Sequence, residues 1–191
     1  MKKVLLTGFE PFGGEKINAS QEVATRLNGE VIADHEVVGV VLPCEFGRAV
    51  RELKKLLKQH EPSLVICLGQ AEGREGITPE RVAINVDDAL MADNAGAQPI
   101  DRAVVRGGPA AYWSTLPIKA IVQRLQSEGI PAAVSQTAGT FVCNHVFYGL
   151  MHALRNQRVV RGGLIHVPWR RGQGSPCLFS RSDDDGSLSG D

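Results

Sequence analysis

Residues 46–68 read Phe-Gly-Arg-Ala-Val-Arg-Glu-Leu-Lys-Lys-Leu-Leu-Lys-Gln-His-Glu-Pro-Ser-Leu-Val-Ile-Cys-Leu. From Phe46 to Leu57 the apolar residues recur at helical spacing with basic residues between them, which predicts a helix with one apolar stripe. Pro62 disfavours helical backbone at the residue before it, so this helix should stop before Glu61. The uninterrupted apolar run at residues 64–68 predicts a buried strand, so the segment is a helix followed by a strand.

The same alternation of strand and helix continues along the chain. Four further short apolar runs predict buried strands, and they lie at residues 4–6, 37–42, 132–134 and 164–165. A second helix is predicted from about residue 117 to residue 128, because Gly129 and Pro131 then form a stop signal. This alternation indicates an α/β layer fold with a largely parallel central sheet.

Length and composition indicate one domain followed by a different tail. The chain has 191 residues, of which 43% are hydrophobic, and no linker interrupts residues 1–169. Residues 170–191 are polar with one short apolar pair, a composition that cannot bury enough surface to order itself, so we expect a disordered tail. A single domain is therefore expected to occupy residues 1–169.

Charge and cysteine usage exclude several classes of protein. The 21 basic residues balance the 21 acidic residues, so neither a nucleic acid nor an anionic membrane is indicated as a partner. The first residues lack the apolar core of a signal peptide, and no stretch approaches a membrane span, which predicts a cytoplasmic location. Four scattered cysteines form no Cys-x-x-Cys pair, and this argues against structural zinc and against disulfides.

Residues 137–145 carry the clearest chemical signal. They read Thr-Ala-Gly-Thr-Phe-Val-Cys-Asn-His, a turn at a glycine that leads from a short strand into an apolar helix. Cys143 should therefore lie near a helix N-terminus, where free backbone N–H groups and the helix dipole stabilise a thiolate and a developing oxyanion. The alternative is that Cys143 is simply a small buried residue, which is the commoner fate of a free cysteine.

Two histidines compete as the base that would activate Cys143. His145 is two positions away, about 200° around a helix, so the two side chains should diverge. His166 lies in Gly-Gly-Leu-Ile-His-Val-Pro at residues 162–168, near the end of a predicted strand that Pro168 terminates. Sites in α/β folds gather at the carboxyl ends of strands, which favours His166. Alternatively, His166 is a histidine at the end of a strand whose ring forms hydrogen bonds only with the backbone.

A third residue should orient the imidazole, and the segment at residues 73–85 offers two carboxylates. Glu80 directly precedes an apolar alternation and is expected at the start of a strand, whereas Glu75 lies in a looser stretch. The alternative for Glu80 is a surface ion pair with Arg74 or Arg81.

The loop after the first strand, Gly-Phe-Glu-Pro-Phe-Gly-Gly at residues 8–14, suggests phosphate binding but does not fit it. Gly14 and Glu15 stand where a phosphate-binding P-loop needs lysine and then serine or threonine. A nucleotide-binding protein is therefore disfavoured. Phe9 and Phe12 instead suggest an apolar wall around a small neutral ligand, or core packing for one of them.

Five segments together resemble the pyroglutamyl peptidase I family of cysteine peptidases. They lie in order at residues 8–14, 78–85, 108–112, 137–145 and 163–168. The resemblance covers roughly residues 1–168. It implies a three-layer α/β/α sandwich around a largely parallel, mixed central sheet, assembled as a homotetramer in similar proteins. It also implies hydrolysis of the bond that follows an N-terminal pyroglutamyl residue, with no metal and no organic cofactor.

The resemblance assigns roles to particular residues. It implies Cys143 as the nucleophile, His166 as the general base and then acid, and Glu80 as the orienting carboxylate. The residues that it places around the lactam ring of the substrate are Phe9, Phe12, Met91, Phe141 and Val142. The expected partners are thus peptides with an N-terminal pyroglutamate.

Two departures from the family pattern leave an alternative open. Leu90 stands where the family usually has an arginine that is thought to assist at the oxyanion. Residues 170–191 also contain neither the Pro-Glu-Gln motif nor the long terminal helix of similar proteins, so one face of the sheet would be less covered. The alternative is a catalytically impaired paralogue that binds pyroglutamyl-like ligands.

Overall fold

The structure is a computed structural model that describes residues 1–157 and 159–169. The expectation of a disordered tail at residues 170–191 lies outside the described residues. The strands are β1 (Lys2–Phe9), β2 (Val31–Ile32), β3 (His35–Leu42), β4 (Leu64–Glu72), β5 (Thr78–Pro79), β6 (Val82–Ile84), β7 (Ala111–Trp113) and β8 (Arg161–Trp169). The helices are α1 (Ala19–Leu27), α2 (Arg48–His60), α3 (Ile118–Ser127) and α4 (Val142–Leu154).

The central sheet is mixed and mostly parallel, as predicted. Its six strands lie in the order β2-β3-β1-β4-β8-β5. The four middle strands are parallel to one another, while β2 and β5 add antiparallel edges. A separate antiparallel pair, β6 and β7, lies outside this sheet. The carboxyl ends of four parallel strands therefore meet at one edge, where α/β proteins place their sites.

Helices cover both faces of the sheet and make three layers. On one face, Leu5, Val65 and Leu164 pack in one core cluster with buried residues of α2 and α4. On the other face, Leu6 and Ile165 pack with residues of α1 and α3. Successive strand residues point to opposite faces, so each middle strand contributes to both cores and the predicted α/β/α sandwich is confirmed.

Helix α1, which the sequence analysis did not identify, packs unusually close to the sheet. A β-carbon on Gly8 would lie 2.1 Å from the Ser20 carbonyl oxygen, and one on Gly39 would lie 2.0 Å from the Ala24 carbonyl oxygen. Only glycine in β1 and β3 permits this approach. The helix begins at Asn18, whose side chain accepts a hydrogen bond from the Ser20 N–H at 3.0 Å, a standard N-cap.

The two predicted helices are confirmed as α2 and α3, but two strand predictions are wrong. Residues 132–134 form no strand, since only isolated bridges join Ala132 to Ile77 and Ser135 to Glu80. Pro131, which has no N–H, precedes the run and a continuous ladder does not form. Pro168 does not end β8 but pairs with Ala71 inside it. Because β5 reaches only as far as His166 along the other side of β8, a proline is tolerated at this edge.

Candidate active site

Cys143 lies in the first turn of α4, as predicted. The helix begins at Val142 after the extended N-cap residue Phe141, whose side chain makes no capping hydrogen bond. The chain turns into it at Gly139, where φ is 75°. The His145 N–H closes the first helical hydrogen bond onto the Phe141 carbonyl, at 3.1 Å. The N–H groups just before it have no helical partner and can donate to an oxyanion near Cys143.

His166 faces Cys143 across a glycine. In the sheet, His166 of β8 pairs with Gly69 of β4. The Cys143 Sγ and the His166 Nε2 each lie 2.9 Å from the position that a β-carbon would take on Gly69. The two atoms are therefore at most twice that distance apart. Gly69 makes the room in which the thiol and the imidazole meet.

Glu80 binds the other nitrogen of the same imidazole. Its Oε1 lies 2.7 Å from the His166 Nδ1, and both side chains are buried. Glu80 follows β5 and precedes β6, so it lies between two short strands and not at the start of one. A carboxylate on Nδ1 holds the hydrogen there and leaves the Nε2 lone pair free to accept a proton from Cys143.

Burial opposes a free thiolate at Cys143. It raises the pKa of Cys143 to about 12, and the negative charge of Glu80 acts in the same direction. The Arg74 charge and the backbone N–H of Cys143 lower the pKa but do not offset burial. The sequence-based expectation of a thiol pKa lowered by the helix N-terminus is therefore wrong for the resting protein. The thiolate must form together with a histidine cation that stabilises it, which requires a base within reach.

His145 cannot serve as that base, because both of its ring nitrogens are occupied. The Gly47 N–H donates to its Nε2 at 2.9 Å, so the hydrogen is on Nδ1, which donates to Asp87 Oδ2 at 2.8 Å. The ring also packs edge-on against Phe46 at a centroid distance of 5.4 Å. His145 therefore anchors the start of α2 to α4, and His166 is the histidine left to face Cys143.

Three aromatic rings pack together just before Cys143 in the fold, around Phe141. The Phe141 ring lies 5.8 Å from Phe12 and 5.5 Å from Phe46, measured between centroids. The sequence analysis read Phe46 as part of the helix stripe, because its spacing fits that pattern, and so did not place it here. The fold brings it to Phe141 because α2 begins only at residue 48.

The other expected pocket residues differ in their exposure. Phe9 and Val142 are fully buried in the core that contains α4, so neither side chain is exposed to solvent. Met91 is 42% exposed, and its Cε lies near Gly13 in the first loop. Leu90 is 98% exposed, on the arm at residues 87–102. Its side chain points into solvent.

Comparison with known proteins identifies the family of this chain. A family model for pyroglutamyl peptidase matches residues 2–174. This chain belongs to the pyroglutamyl peptidase family. A pyrrolidone-carboxylate peptidase from Bacillus cereus strain Q1 is 57% identical over 176 residues, covering 92% of this chain and 82% of the relative.

Solved structures of the pyroglutamyl peptidase family share the fold. The crystal structure of Bacillus amyloliquefaciens pyroglutamyl peptidase I is 54% identical, has a TM-score of 0.86, and covers 88% of this chain and 82% of that one. A mutant pyrrolidone carboxyl peptidase from Pyrococcus furiosus is 46% identical with a TM-score of 0.85, covering 87% and 81%. The family and the α/β/α fold agree with the sequence analysis.

The described residues offer neither a cluster of metal ligands nor a membrane-spanning helix. Across residues 1–157 and 159–169, no three His, Cys, Asp or Glu side chains are grouped to hold a metal ion. None of the helices in this described part is long and apolar enough to cross a bilayer.

Proposed function

We propose that Cys143, His166 and Glu80 carry out the cysteine-peptidase reaction that family membership gives to this chain, the hydrolysis of the bond after an N-terminal pyroglutamyl residue. One observation supports the assignment above all others. The thiol and the imidazole both lie over Gly69, and the far side of the imidazole is bound to a buried carboxylate. This is the arrangement of nucleophile, base and orienting group that acyl transfer requires.

The reaction follows from this geometry in two stages. His166 Nε2 takes the proton of Cys143, and the sulfur bonds to the carbonyl carbon that joins pyroglutamate to the next residue. Backbone N–H groups at the start of α4 stabilise the oxyanion. The C–N bond then breaks, and His166 returns its proton to the leaving nitrogen, so that the shortened peptide departs as a neutral amine.

Hydrolysis of the thioester completes the cycle. His166 accepts a proton from water as the water oxygen bonds to the same carbonyl carbon. The carbon–sulfur bond breaks, pyroglutamate leaves, and Cys143 recovers its proton from His166. Every proton that is taken up is returned, so His166 ends the cycle in the state in which it began.

The proposed pocket suits the neutral lactam ring. A pyroglutamyl end has no ammonium group, so it offers no handle to a site built around a carboxylate. The rings of Phe12 and Phe141 pack against each other, and we propose that they form an apolar wall beside Cys143 that Phe9, Val142 and Met91 complete. An apolar slot with a few backbone hydrogen bonds binds such a ring and excludes a charged N-terminus.

The two alternatives are weaker. The alternative of an impaired paralogue depended on Leu90 and on the atypical tail at residues 170–191. Cys143, His166 and Glu80 are nevertheless present together, and the relatives reported above are named as peptidases. The hypothesis of nucleotide binding depended on the glycine-rich loop at residues 8–14. In that loop the Glu10 carboxylate accepts from the Cys44 N–H at 3.1 Å and from the Asn94 amide at 2.8 Å, and a carboxylate at this position repels phosphate.

The cellular location and the assembly are further parts of the proposal. A cytoplasmic location is supported by Cys44, Cys67 and Cys143, which are free thiols in the described part of the chain. A homotetramer is proposed from the family resemblance. Light scattering on the purified protein measures the mass directly, and a monomer would contradict the tetramer without affecting the catalytic assignment.

The decisive experiment measures release of a fluorogenic amine from a pyroglutamyl amide. Wild-type protein should cleave it and should leave the unblocked glutamyl amide intact. Cys143→Ala should remove cleavage while retaining the circular dichroism spectrum, and Cys177→Ala, which removes a different thiol, should remain active. An active Cys143→Ala protein would overturn the nucleophile assignment, and cleavage of the glutamyl amide would overturn the specificity.

A further inference from the structure

Arg74 connects three parts of the candidate active site. It lies in the loop between β4 and β5, and its Nη1 is 2.8 Å from Glu80 Oε1, the same oxygen that binds His166. Nη1 also donates to the Thr78 hydroxyl, and Nη2 donates to the Thr137 carbonyl at 3.2 Å. Thr137 begins the loop that leads to Cys143. One guanidinium thus contacts the segments that carry Glu80 and Cys143.

Glu80 needs a permanent counter-charge. Its side chain is fully buried, and its second oxygen, Oε2, has no hydrogen-bond partner among the described residues. A buried carboxylate is costly unless a positive charge lies beside it. His166 is neutral in the part of the cycle in which it must accept a proton, so it cannot supply that charge throughout. Arg74 remains charged at every accessible pH.

We propose that Arg74 is a positioning residue that holds the Glu80 carboxylate in place, so that His166 keeps its hydrogen on Nδ1 and presents Nε2 to Cys143. This proposal rests on the catalytic roles proposed above for those three residues. The hydrogen bond from Arg74 to the Thr137 carbonyl has a second consequence. It links the segment that carries Glu80 to the loop that leads to Cys143, and this loop sets the position of Cys143 relative to Gly69.

The electrostatic effect on the thiol has the same direction. The Arg74 charge lowers the pKa of Cys143 against the larger effect of burial, which raises it. Removal of the charge should therefore raise the pKa of Cys143 and slow its reaction at a given pH. Arg74 acts on both members of the proton transfer, directly on the thiol and through Glu80 on the imidazole.

The first test compares three variants in the pyroglutamyl amide assay. Arg74→Met removes both the positive charge and the N–H donors. Arg74→Lys keeps the charge but lacks the paired N–H donors of the guanidinium. Arg81→Met is the matched control. Arg81 lies in the same segment but bonds to the Gln136 side chain at 2.8 Å. We expect kcat to fall about 10- to 100-fold in Arg74→Met, less in Arg74→Lys and by less than twofold in Arg81→Met, with little change in KM.

The second test separates positioning from a general structural role. If Arg74 acts mainly through Glu80, adding Arg74→Met to Glu80→Gln should lower kcat much less than Arg74→Met lowers it alone, because the partner is already lost and only the direct effect on the thiol remains. Losses that multiply would overturn the proposal. So would a change in KM alone, which would indicate substrate binding, or an Arg74→Met protein as active as Arg81→Met. If Arg74→Met does not fold, the same cycle is run with Arg74→Lys.

A third readout needs no substrate. The rate at which iodoacetamide alkylates Cys143, followed by mass spectrometry of its peptide, should move to higher pH in Arg74→Met and not in Arg81→Met. An unmoved profile would overturn the proposed effect on the thiol. Because this rate is measurable even in a protein that does not cleave pyroglutamyl amides, failure of the Arg74 proposal is distinguishable from failure of the proposed function.

Discussion

Gly69 is the residue on which the proposed nucleophile and base converge. A β-carbon there would lie 2.9 Å from the Cys143 sulfur and 2.8 Å from the His166 Cδ2, both far inside van der Waals contact. Neither neighbour can move freely, since Cys143 is in the first turn of a helix and His166 is bound to Glu80. A single methyl group would therefore displace the catalytic side chains.

We expect Gly69→Ala to lower kcat/KM by at least about 100-fold, the cost of a displacement of roughly 1 Å between reacting groups. The fold should persist, since alanine can adopt strand backbone. Measurement of kcat/KM together with thermal unfolding checks both statements. A Gly69→Ala protein with wild-type activity would contradict the contact between Cys143 and His166.

The thiol pKa gives a second prediction at this scale. The thiolate is the charged form of Cys143, and a neighbouring histidine cation stabilises it, so His166→Ala should raise the thiol pKa further above its ordinary value. At a fixed pH the thiolate fraction falls, and the alkylation rate of Cys143 should fall with it.

Alkylation of Cys143 measured against pH checks this sign, with His35→Ala as a control. His35 is on β3, three strands away from β8 in the sheet, and its replacement should leave the profile unmoved. If His166→Ala and wild type give the same profile, His166 does not stabilise the thiolate.

Helices α2 and α4 pack through a glycine, and this contact sets the position of the catalytic helix. A β-carbon on Gly149 of α4 would lie 2.6 Å from the Val50 Cγ2 of α2. Replacing glycine by alanine stabilises a helix by about 1 kcal/mol. Overpacking of a core, however, costs about 1–3 kcal/mol. The clash is not easily relieved, because the branched Val50 side chain has few accessible rotamers in a helix.

Gly149→Ala should therefore lower the free energy of unfolding by about 1–2 kcal/mol, since overpacking outweighs helix propensity. Chemical denaturation of Gly149→Ala, Val50→Ala and the double variant measures the effect. The double variant should be more stable than the sum of the single losses predicts, because Val50→Ala removes the clash. Strict additivity would show that the two side chains do not meet.

The arm at residues 87–102 carries the departure from the family pattern. Paired backbone bonds between Asp87 and Arg102 close it, and the Asp88 N–H binds the Thr140 carbonyl at 3.0 Å. The arm is thus attached to the loop just before Cys143. Leu90 extends from it into solvent, so a longer polar side chain there would meet no steric barrier.

We expect Leu90→Arg to raise kcat/KM, by at most the value of one oxyanion donor, about 10²- to 10³-fold. The matched control is Ile100→Arg, which adds the same charge at another exposed position of the arm and should not change turnover. No gain in Leu90→Arg would mean that backbone donors at the start of α4 already suffice.

At the scale of the whole molecule, the three layers converge on one edge of the sheet. The parallel strands β1, β4 and β8 end there, α4 begins there, and Glu80 joins them from the segment that follows the edge strand β5. Each contribution comes from a different part of the chain, and the hydrogen bond between His166 and Glu80 joins residues 86 positions apart. The site therefore exists only when the whole sheet is assembled.

What could be predicted depended on whether a feature is local. The helical spacing in α2 and α3, and the turn at Gly139 into α4, are patterns of neighbouring residues, and they were confirmed. Helix α1 was missed because its main support is the close contact of Gly8 and Gly39 with its backbone. Residues 132–134 look apolar enough for a strand, but no continuous ladder forms behind Pro131.

The sequence by itself determined the α/β class, the place of Cys143 at a helix start and, through ordered motifs, the family, because each depends on short-range order along the chain. Only the tertiary structure decided that Asp87 and Gly47 form hydrogen bonds with the two ring nitrogens of His145 and that Arg74 pairs with Glu80. The same is true of the burial that raises the pKa of Cys143. These depend on strand register, which places residues far apart in sequence within a few ångströms, and on the exclusion of water, which no local pattern reveals.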